Sequence, residues 1–303
     1  MKFSAIQMTA IVLSLGVSAA PSLPARNLEV ASNDIVDLPR VLEVRDKKTK
    51  TSTAAAAATQ APSGNGTKSG GESAPASGGS IPAATGEKVL NAPQTIAAGG
   101  SFDGGMVMFD RGVSCTGQVE GGNSDAVFII ENGGTLSNVI IGPNQIEGVH
   151  CMGACTLKNV WWKAVCEDAF TIKTQAAGEV TKVIGGGAFG ATDKVMQHNG
   201  AGTLDISGFT VGSFGKLYRA CGNCASSYER HVIMTDITAN DGQILAGINA
   251  NFGDTATIKN SKLSGVTDVC VTFNGVAKGS EPTKTGAGPD GKNCIYAADV
   301  STA

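Results

Sequence analysis

The chain has 303 residues, with 41 glycines, 5% aromatic residues and a net charge of −3 at pH 7. Because glycine inside a helix costs about 1 kcal/mol relative to alanine, this glycine content argues against a helical bundle and favours short strands joined by turns. The small negative charge gives no electrostatic basis for binding nucleic acid or an anionic membrane.

The N-terminus has the pattern of a secretory signal peptide. Lys2 precedes a mostly apolar run at residues 5–17, and small residues follow at 18–20. The run is shorter than the roughly 20 residues that a membrane-spanning helix needs. We therefore interpret residues 1–19 as a signal peptide, cleaved after Ala19, and predict a secreted, extracellular protein without a membrane anchor.

Residues 49–86 form a low-complexity stretch of Ala, Ser, Thr, Gly and Pro with almost no large apolar side chain. Such a composition buries too little apolar surface to offset the conformational entropy lost on folding. We therefore predict that residues 20–87 form a disordered linker or propeptide. The folded domain is predicted to span residues 88–303.

Short apolar segments recur in this domain, and one series returns about every 21 to 27 residues, a spacing typical of solenoids. This first series comprises Met106–Phe109, Val127–Ile130, Gly148–Cys151, Ala169–Lys173, Val195–Gln197, Leu217–Arg219, Gln243–Ile248 and Val269–Phe273. A second series of related segments lies between them, at residues 135–139, 156–160, 203–206 and 257–260. An antiparallel sandwich would not repeat one motif per coil. The pattern predicts an all-β protein, a right-handed parallel β-helix.

The eight cysteines are Cys115, Cys151, Cys155, Cys166, Cys221, Cys224, Cys270 and Cys294. An even number in a secreted chain predicts disulfides, but the sequence leaves their pairing open. The two closely spaced pairs also have a spacing found in zinc ligands. Because the chain has only three histidines and an oxidising destination is predicted, disulfides are the favoured interpretation.

Charged residues precede four successive strands of the first series. They are Glu147, Glu167, Asp168, Asp193, Lys194 and Lys216, with Arg219 three residues further on. Coils of constant period stack about 4.8 Å apart, so these side chains should form one column. Four carboxylates so close would repel one another without a cation among them, and calcium tolerates irregular oxygen ligation best. The ammonium groups next to the calcium ion would bind an anionic substrate. The column therefore predicts a calcium-dependent site for a carboxylated polymer.

The stretch from about Gly104 to Phe273 resembles polysaccharide lyase family 3, the small secreted pectate lyases of microbes. Four motifs in the order and spacing of that family carry the resemblance: Glu147–Cys151, Cys166–Lys173, Asp193–Gln197 and Gly215–Arg219. The resemblance implies a right-handed parallel β-helix, a calcium cofactor and β-elimination on polygalacturonate, the backbone of cell-wall pectin. One departure is Glu147, where the family often has Asp.

Carried over position by position, the resemblance implies a set of calcium ligands, Glu147, Glu167 and Asp168, with Asp193 near the metal or the substrate. It also implies three basic catalytic residues. In β-elimination a base removes the proton from carbon 5 of a galacturonate. Lys194 is the first choice for this base because lysine shifts its pKa readily, and Arg219 is the alternative. Lys216 would bind a substrate carboxylate as a point charge.

Other notable residues are predicted to be structural. Trp161 and Trp162 are adjacent in a strand, so one should face the core and the other the surface. Tyr218 lies between two charged residues and should point inward. His150 and His198 follow strand segments and are interpreted as turn or ladder residues.

Two other functions are compatible with a secreted β-helix. A polygalacturonase-type hydrolase uses paired carboxylates without a metal, but the Gly-His-Gly and Arg-Ile-Lys motifs usual in those enzymes do not occur in this chain. A non-catalytic protein that binds the cell wall is the second alternative. We expect a monomer whose partner is pectin, with no nucleic-acid or membrane partner.

Overall fold

The computed structural model describes residues 80–302, so the predicted signal peptide and most of the predicted linker lie outside the described residues. In this part of the chain, short runs rich in β-branched and aromatic residues form nineteen strands. They are β1 (Glu87–Val89), β2 (Gln94–Ile96), β3 (Ser101–Asp110), β4 (Ala126–Ile130), β5 (Thr135–Ile141), β6 (Glu147–Cys151), β7 (Thr156–Trp162), β8 (Asp168–Ile172), β9 (Val180–Ile184), β10 (Gly187–His198), β11 (Gly202–Ser207), β12 (Thr210–Ala220), β13 (Arg230–Thr235), β14 (Thr238–Asn249), β15 (Thr255–Lys259), β16 (Lys262–Asn274), β17 (Thr283–Ala287), β18 (Cys294–Ile295) and β19 (Ser301–Thr302). Two short 3-10 helices lie at Asn123–Asp125 and Ala250–Phe252.

Parallel pairing between successive coils creates three ladders. The first ladder contains β2, β4, β6 and β8, followed by the C-terminal halves of β10, β12, β14 and β16. The second ladder contains the N-terminal halves of β3, β5 and β7, followed by β9, β11, β13, β15 and β18. The third ladder begins with β1 and ends with β19. Between them lie the C-terminal halves of β3, β5 and β7, followed by the N-terminal halves of β10, β12, β14 and β16. The chain visits the ladders in turn, so the predicted all-β parallel β-helix is confirmed.

The predicted first series follows the first ladder with one exception. The prediction for Met106–Phe109 is wrong, because residues 107–109 pair with residues 139–141 in the third ladder. β2 occupies the first-ladder position of that coil and pairs with β4. Its three residues include one buried apolar side chain, Ile96, which is too weak a pattern to predict a strand.

Inward side chains of the first ladder form a continuous stack. Phe128, Val149, Phe170, Met196 and Tyr218 hold equivalent positions in five successive coils, and all are buried. Each such side chain contributes about 1.5–3 kcal/mol through burial. The inward orientation predicted for Tyr218 is confirmed. In the four later strands, the stack also fixes the register of the charged residue that lies two positions before it.

A single residue in left-handed conformation turns the chain between the second and third ladders. Asn138 and Asn159 fill this corner in consecutive coils, with φ of 51° and 53°. Asn159 Nδ2 donates to Asn138 Oδ1 at 2.9 Å. Asparagine is one of the few residue types other than glycine that visit this conformation routinely, and Gly208 takes the same corner later in the chain with φ of 63°.

The prediction that one of the two adjacent tryptophans faces the surface is wrong, because both are buried. Trp161 pairs with Gly187 of the next coil, where a Cβ would lie 2.8 Å from the indole ring. The missing side chain leaves space for the ring. Trp161 Nε1 donates to Asn159 Oδ1 at 2.7 Å, which satisfies its only polar atom.

All eight cysteines form disulfides, in the pairs Cys115–Cys166, Cys151–Cys155, Cys221–Cys224 and Cys270–Cys294. The prediction of disulfides is confirmed, and the two closely spaced pairs are bridges rather than zinc ligands. Within residues 80–302, the chain has no helix with the length and apolar character needed to cross a bilayer.

Candidate active site

A column of charged residues stands at the start of the first-ladder strands. Lys194 pairs with Asp168 of the preceding coil and with Lys216 of the following coil. Glu147 holds the same position one coil before Asp168, because the residues two positions after each of them are paired. Four predicted site residues therefore succeed one another along the helix axis, two carboxylates followed by two ammonium groups.

The Lys194 ammonium lies at the centre of the charged cluster. Its Nζ donates to Asp193 Oδ2 at 2.8 Å and to Glu167 Oε1 at 3.3 Å. Asp168 Oδ1 is also 3.3 Å away, although the geometry makes no hydrogen bond. Lys216 Nζ donates to the other oxygen of Asp193 at 2.6 Å. These contacts bring together five of the seven predicted site residues.

Burial shifts the pKa values in this cluster in different directions. It raises the pKa of Glu167 and, more strongly, that of Asp168, and neighbouring carboxylates add to both shifts. Burial also opposes ionisation of Asp193, but hydrogen bonds from Lys194 and Lys216 outweigh it and lower the pKa of that carboxyl. Burial would lower the pKa of Lys194, yet its three carboxylate neighbours raise it above the usual range. The protonated lysine therefore stabilises the carboxylates around it.

Glu147 is held separately from this cluster by a network of its own. Its Oε2 lies 3.1 Å from His150 Nε2, and its Oε1 accepts a hydrogen bond from the Gly121 amide at 3.0 Å. His150 is fully buried, and its Nδ1 lies 2.8 Å from Asn123 Oδ1. His150 is thus a ladder residue, as predicted, and also the neighbour that orients a predicted site carboxylate.

Arg219 lies outside the ion-pair cluster. Its Nη1 donates to the Ala220 carbonyl at 2.7 Å and to Asn249 Oδ1 at 3.0 Å. Its guanidinium carbon is 4.1 Å from the centroid of the Phe273 ring. Among residues 80–302, no carboxylate lies within ion-pair distance of Arg219. The side chain is 8% exposed, and burial lowers the pKa of Arg219 to about 10.

Three neighbours of these residues were not predicted to contribute to the site: His150, Asn249 and Phe273. His150 follows Glu147 by three residues, as Arg219 follows Lys216, and this shared spacing is a signal that sequence reasoning could use. Asn249 and Phe273 lie 30 and 54 residues beyond Arg219 in the chain. Their contacts depend on how two later coils stack, which no local motif specifies.

The cluster has the donor atoms that a hard cation needs. Glu167 Oε2 and Asp168 Oδ1 are buried and have no hydrogen-bond partner among residues 80–302. Buried carboxylate oxygens are ordinarily hydrogen-bonded. Within residues 80–302, no three acidic, histidine or cysteine side chains are already arranged as a metal centre. The Lys194 ammonium provides the positive charge among these oxygens, so a divalent cation would have to replace it as their partner.

The model of the family described as "Pectate lyase" matches residues 78–280. The chain belongs to the pectate lyase family. It is 57% identical over 205 residues to pectate lyase H of Emericella nidulans, covering 67% of this chain and 78% of that protein. It is 51% identical over 223 residues to probable pectate lyase D of Aspergillus fumigatus, covering 73% of this chain and 91% of that protein.

Solved pectate lyase structures have the same fold. The catalytic domain of pectate lyase PelI from Erwinia chrysanthemi aligns with a TM-score of 0.61 at 32% identity, covering 70% of this chain and 98% of that domain. PelI in complex with tetragalacturonic acid aligns with a TM-score of 0.58 at 34% identity, covering 70% of this chain and 71% of that one. The predictions of a pectate lyase, and thus of a polysaccharide lyase on a parallel β-helix, are confirmed.

Proposed function

We propose that this pectate lyase cleaves α-1,4-linked polygalacturonate by calcium-assisted β-elimination. The observation that carries the proposal is the buried pair Glu167 and Asp168, each with one oxygen that has no hydrogen-bond partner within residues 80–302, beside the ammonium group of Lys194. Asp193 links Lys194 to a second ammonium group, that of Lys216. Such a cluster suits a site that binds a metal cation and an anionic polymer together. The tetragalacturonic acid in the PelI complex supports the substrate class.

Glu167 and Asp168 would hold the calcium ion, with Glu147 and Asp193 as further ligands. When bound, calcium supplies positive charge next to the galacturonate carboxylate and so stabilises the enolate-like transition state of proton removal. If Glu167 and Asp168 held the metal, Lys194 would be released from these two carboxylates and would be able to bind a carboxylate of the substrate. Lys216, whose side chain is partly exposed, would serve the same purpose.

Arg219 is the side chain we propose as the general base, in place of the first choice from sequence, Lys194. A base must be neutral before it accepts a proton. Lys194 has three carboxylates within 3.3 Å, each of which favours its charged form. In the part of the chain that the structure describes, Arg219 has no carboxylate at ion-pair distance, and its burial disfavours the charged form. Lys194 then acts as a substrate-binding cation whose charge adds to that of the metal.

We also propose that the enzyme is secreted and acts outside the cell as a monomer. The signal-peptide pattern at residues 1–19 supports secretion. The four disulfides support an oxidising destination, because such bonds persist in extracellular proteins.

A continuous ultraviolet assay on polygalacturonate tests the proposed chemistry. Elimination creates an unsaturated sugar that absorbs ultraviolet light, whereas hydrolysis does not. We expect absorbance to rise with calcium, to stop when a chelator is added, and to resume when calcium is restored. New reducing ends without ultraviolet absorbance would identify a hydrolase, and no cleavage at all would favour the wall-binding alternative.

A further inference from the structure

Arg219 must be held in one orientation if it is to remove a proton from a bound sugar, yet no carboxylate of residues 80–302 forms an ion pair with it. One edge of its guanidinium is fixed by Asn249 Oδ1. The orientation of that amide is defined, because its Nδ2 donates to the carbonyls of Ala220 and Cys221 and to Asp254 Oδ2. The guanidinium carbon lies over the ring of Phe273, 4.1 Å from its centroid.

The contact between Arg219 and Phe273 spans two coils, and the coil between them has a glycine at this position. Arg219 pairs with Gly247, and Asn249, two residues later, pairs with Phe273. A Cβ on Gly247 would lie 3.1 Å from Arg219 Cδ and 3.3 Å from Phe273 Cε2. The absence of a side chain at Gly247 therefore lets the arginine stem cross this coil and lie against the ring.

We infer that Phe273 is a positioning residue for Arg219, and that Gly247 provides the space for their contact; this inference rests on the proposed function. A carboxylate would also orient the guanidinium, but it would hold the proton on the group as well. An aromatic ring orients a guanidinium by stacking with a weaker preference for its charge. The ring therefore suits a base that must be fixed in place and yet able to lose its proton.

Phe273→Leu tests the inference, because it keeps an apolar side chain but removes the stacking surface. We expect kcat on polygalacturonate to fall about tenfold or more, since small displacements of a reacting group are costly, while KM changes less than about twofold. Phe273→Tyr keeps the ring and should restore kcat to nearly the wild-type value. Gly247→Ala places a methyl group between the two side chains and should lower kcat in the same way.

Phe252→Leu is the matched control. Phe252 is a half-buried phenylalanine near the same end of the solenoid and packs against Gly275 rather than Arg219. It should keep the wild-type kcat, and melting temperatures of all variants should show that they are folded. A folded Phe273→Leu variant with kcat within twofold of wild type would overturn the positioning role alone. A wild-type chain that forms no unsaturated product would instead overturn the proposed function.

Discussion

Lys194 Nζ lies 3.3 Å from Asp168 Oδ1, and the two residues are direct partners in the first ladder. Because successive coils are about 4.8 Å apart, the lysine reaches back by one coil to neutralise a buried acid. Lys194 and a bound calcium ion would therefore compete for the same carboxylate oxygens. This competition links metal binding to the position of the lysine.

Removing the ammonium should strengthen calcium binding while it weakens catalysis. In Lys194→Ala, calcium no longer has to displace the lysine ammonium from the carboxylates. We therefore expect calcium affinity to rise about tenfold, equivalent to about 1.4 kcal/mol of binding free energy. Turnover should fall by about a hundredfold or more, because a substrate-binding charge is lost. Titration calorimetry with calcium and the ultraviolet assay measure the two effects. Lys182→Ala, an exposed lysine of the second ladder, is the control. Weaker calcium binding in Lys194→Ala would contradict the competition.

Loss of the imidazole of His150 should weaken calcium binding without direct contact between this residue and the metal. His150 orients Glu147 through the 3.1 Å contact, and removing a group that orients a metal ligand typically costs 10–100-fold in metal affinity. We expect calcium affinity of His150→Ala to fall by about tenfold in calorimetric titration. His231→Ala is the matched control, because His231 lies in the second ladder and contacts Thr255. Equal affinities in the two variants would argue against Glu147 as a ligand.

The charged column could be predicted from sequence because it depends on one local regularity. Each acid or lysine precedes an apolar strand, and a constant period brings those positions together whatever the details of the coil. The contacts of Trp161 and Arg219 could not be predicted in this way. Both involve glycines of the following coil. A Cβ at Gly187 would overlap the ring of Trp161, and a Cβ at Gly247 would crowd the stem of Arg219. The strand pattern gives the period but not the shape of the space between coils.

Activity should rise through the alkaline pH range. The pKa of Arg219 is lowered to about 10 by burial, so the neutral fraction of this base increases with pH and reaches one half near pH 10. We expect kcat/KM at saturating calcium to increase from pH 7 toward pH 10, and the profile measured by the ultraviolet assay should show this rise. Arg219→Lys should lose most of the activity, because a lysine cannot reproduce the planar contacts with Asn249 and Phe273. An optimum near pH 5 would contradict a basic residue as the proton acceptor.

His198 should make the fold sensitive to acid at a point outside the active-site cluster. The imidazole is buried, and its Nε2 lies 3.1 Å from the Ala201 carbonyl, which can only accept a hydrogen bond. Nε2 therefore carries the proton, and Nδ1 accepts from the Tyr218 hydroxyl at 3.0 Å. Burial, opposed by the hydrogen bond to Ala201 and assisted by the nearby charge of Arg230, lowers the pKa of His198 from 6.5 to about 3.

The folded state should lose stability as the pH falls, because the unfolded state binds the proton of His198 more readily. Between pH 6.5 and about 3, the unfolded chain protonates this histidine and the folded chain does not, so its contribution to stability is complete above pH 6.5 and is lost as the pH falls. The full loss amounts to about 5 kcal/mol. Urea unfolding of wild type and His198→Gln over this range measures it. The variant should be less stable at pH 8, because it loses the contacts with Tyr218 and Ala201, and the gap should narrow toward acid pH. If the stability of the two proteins changed with pH in the same way, His198 would have the same pKa in the folded and unfolded states, which would contradict the prediction.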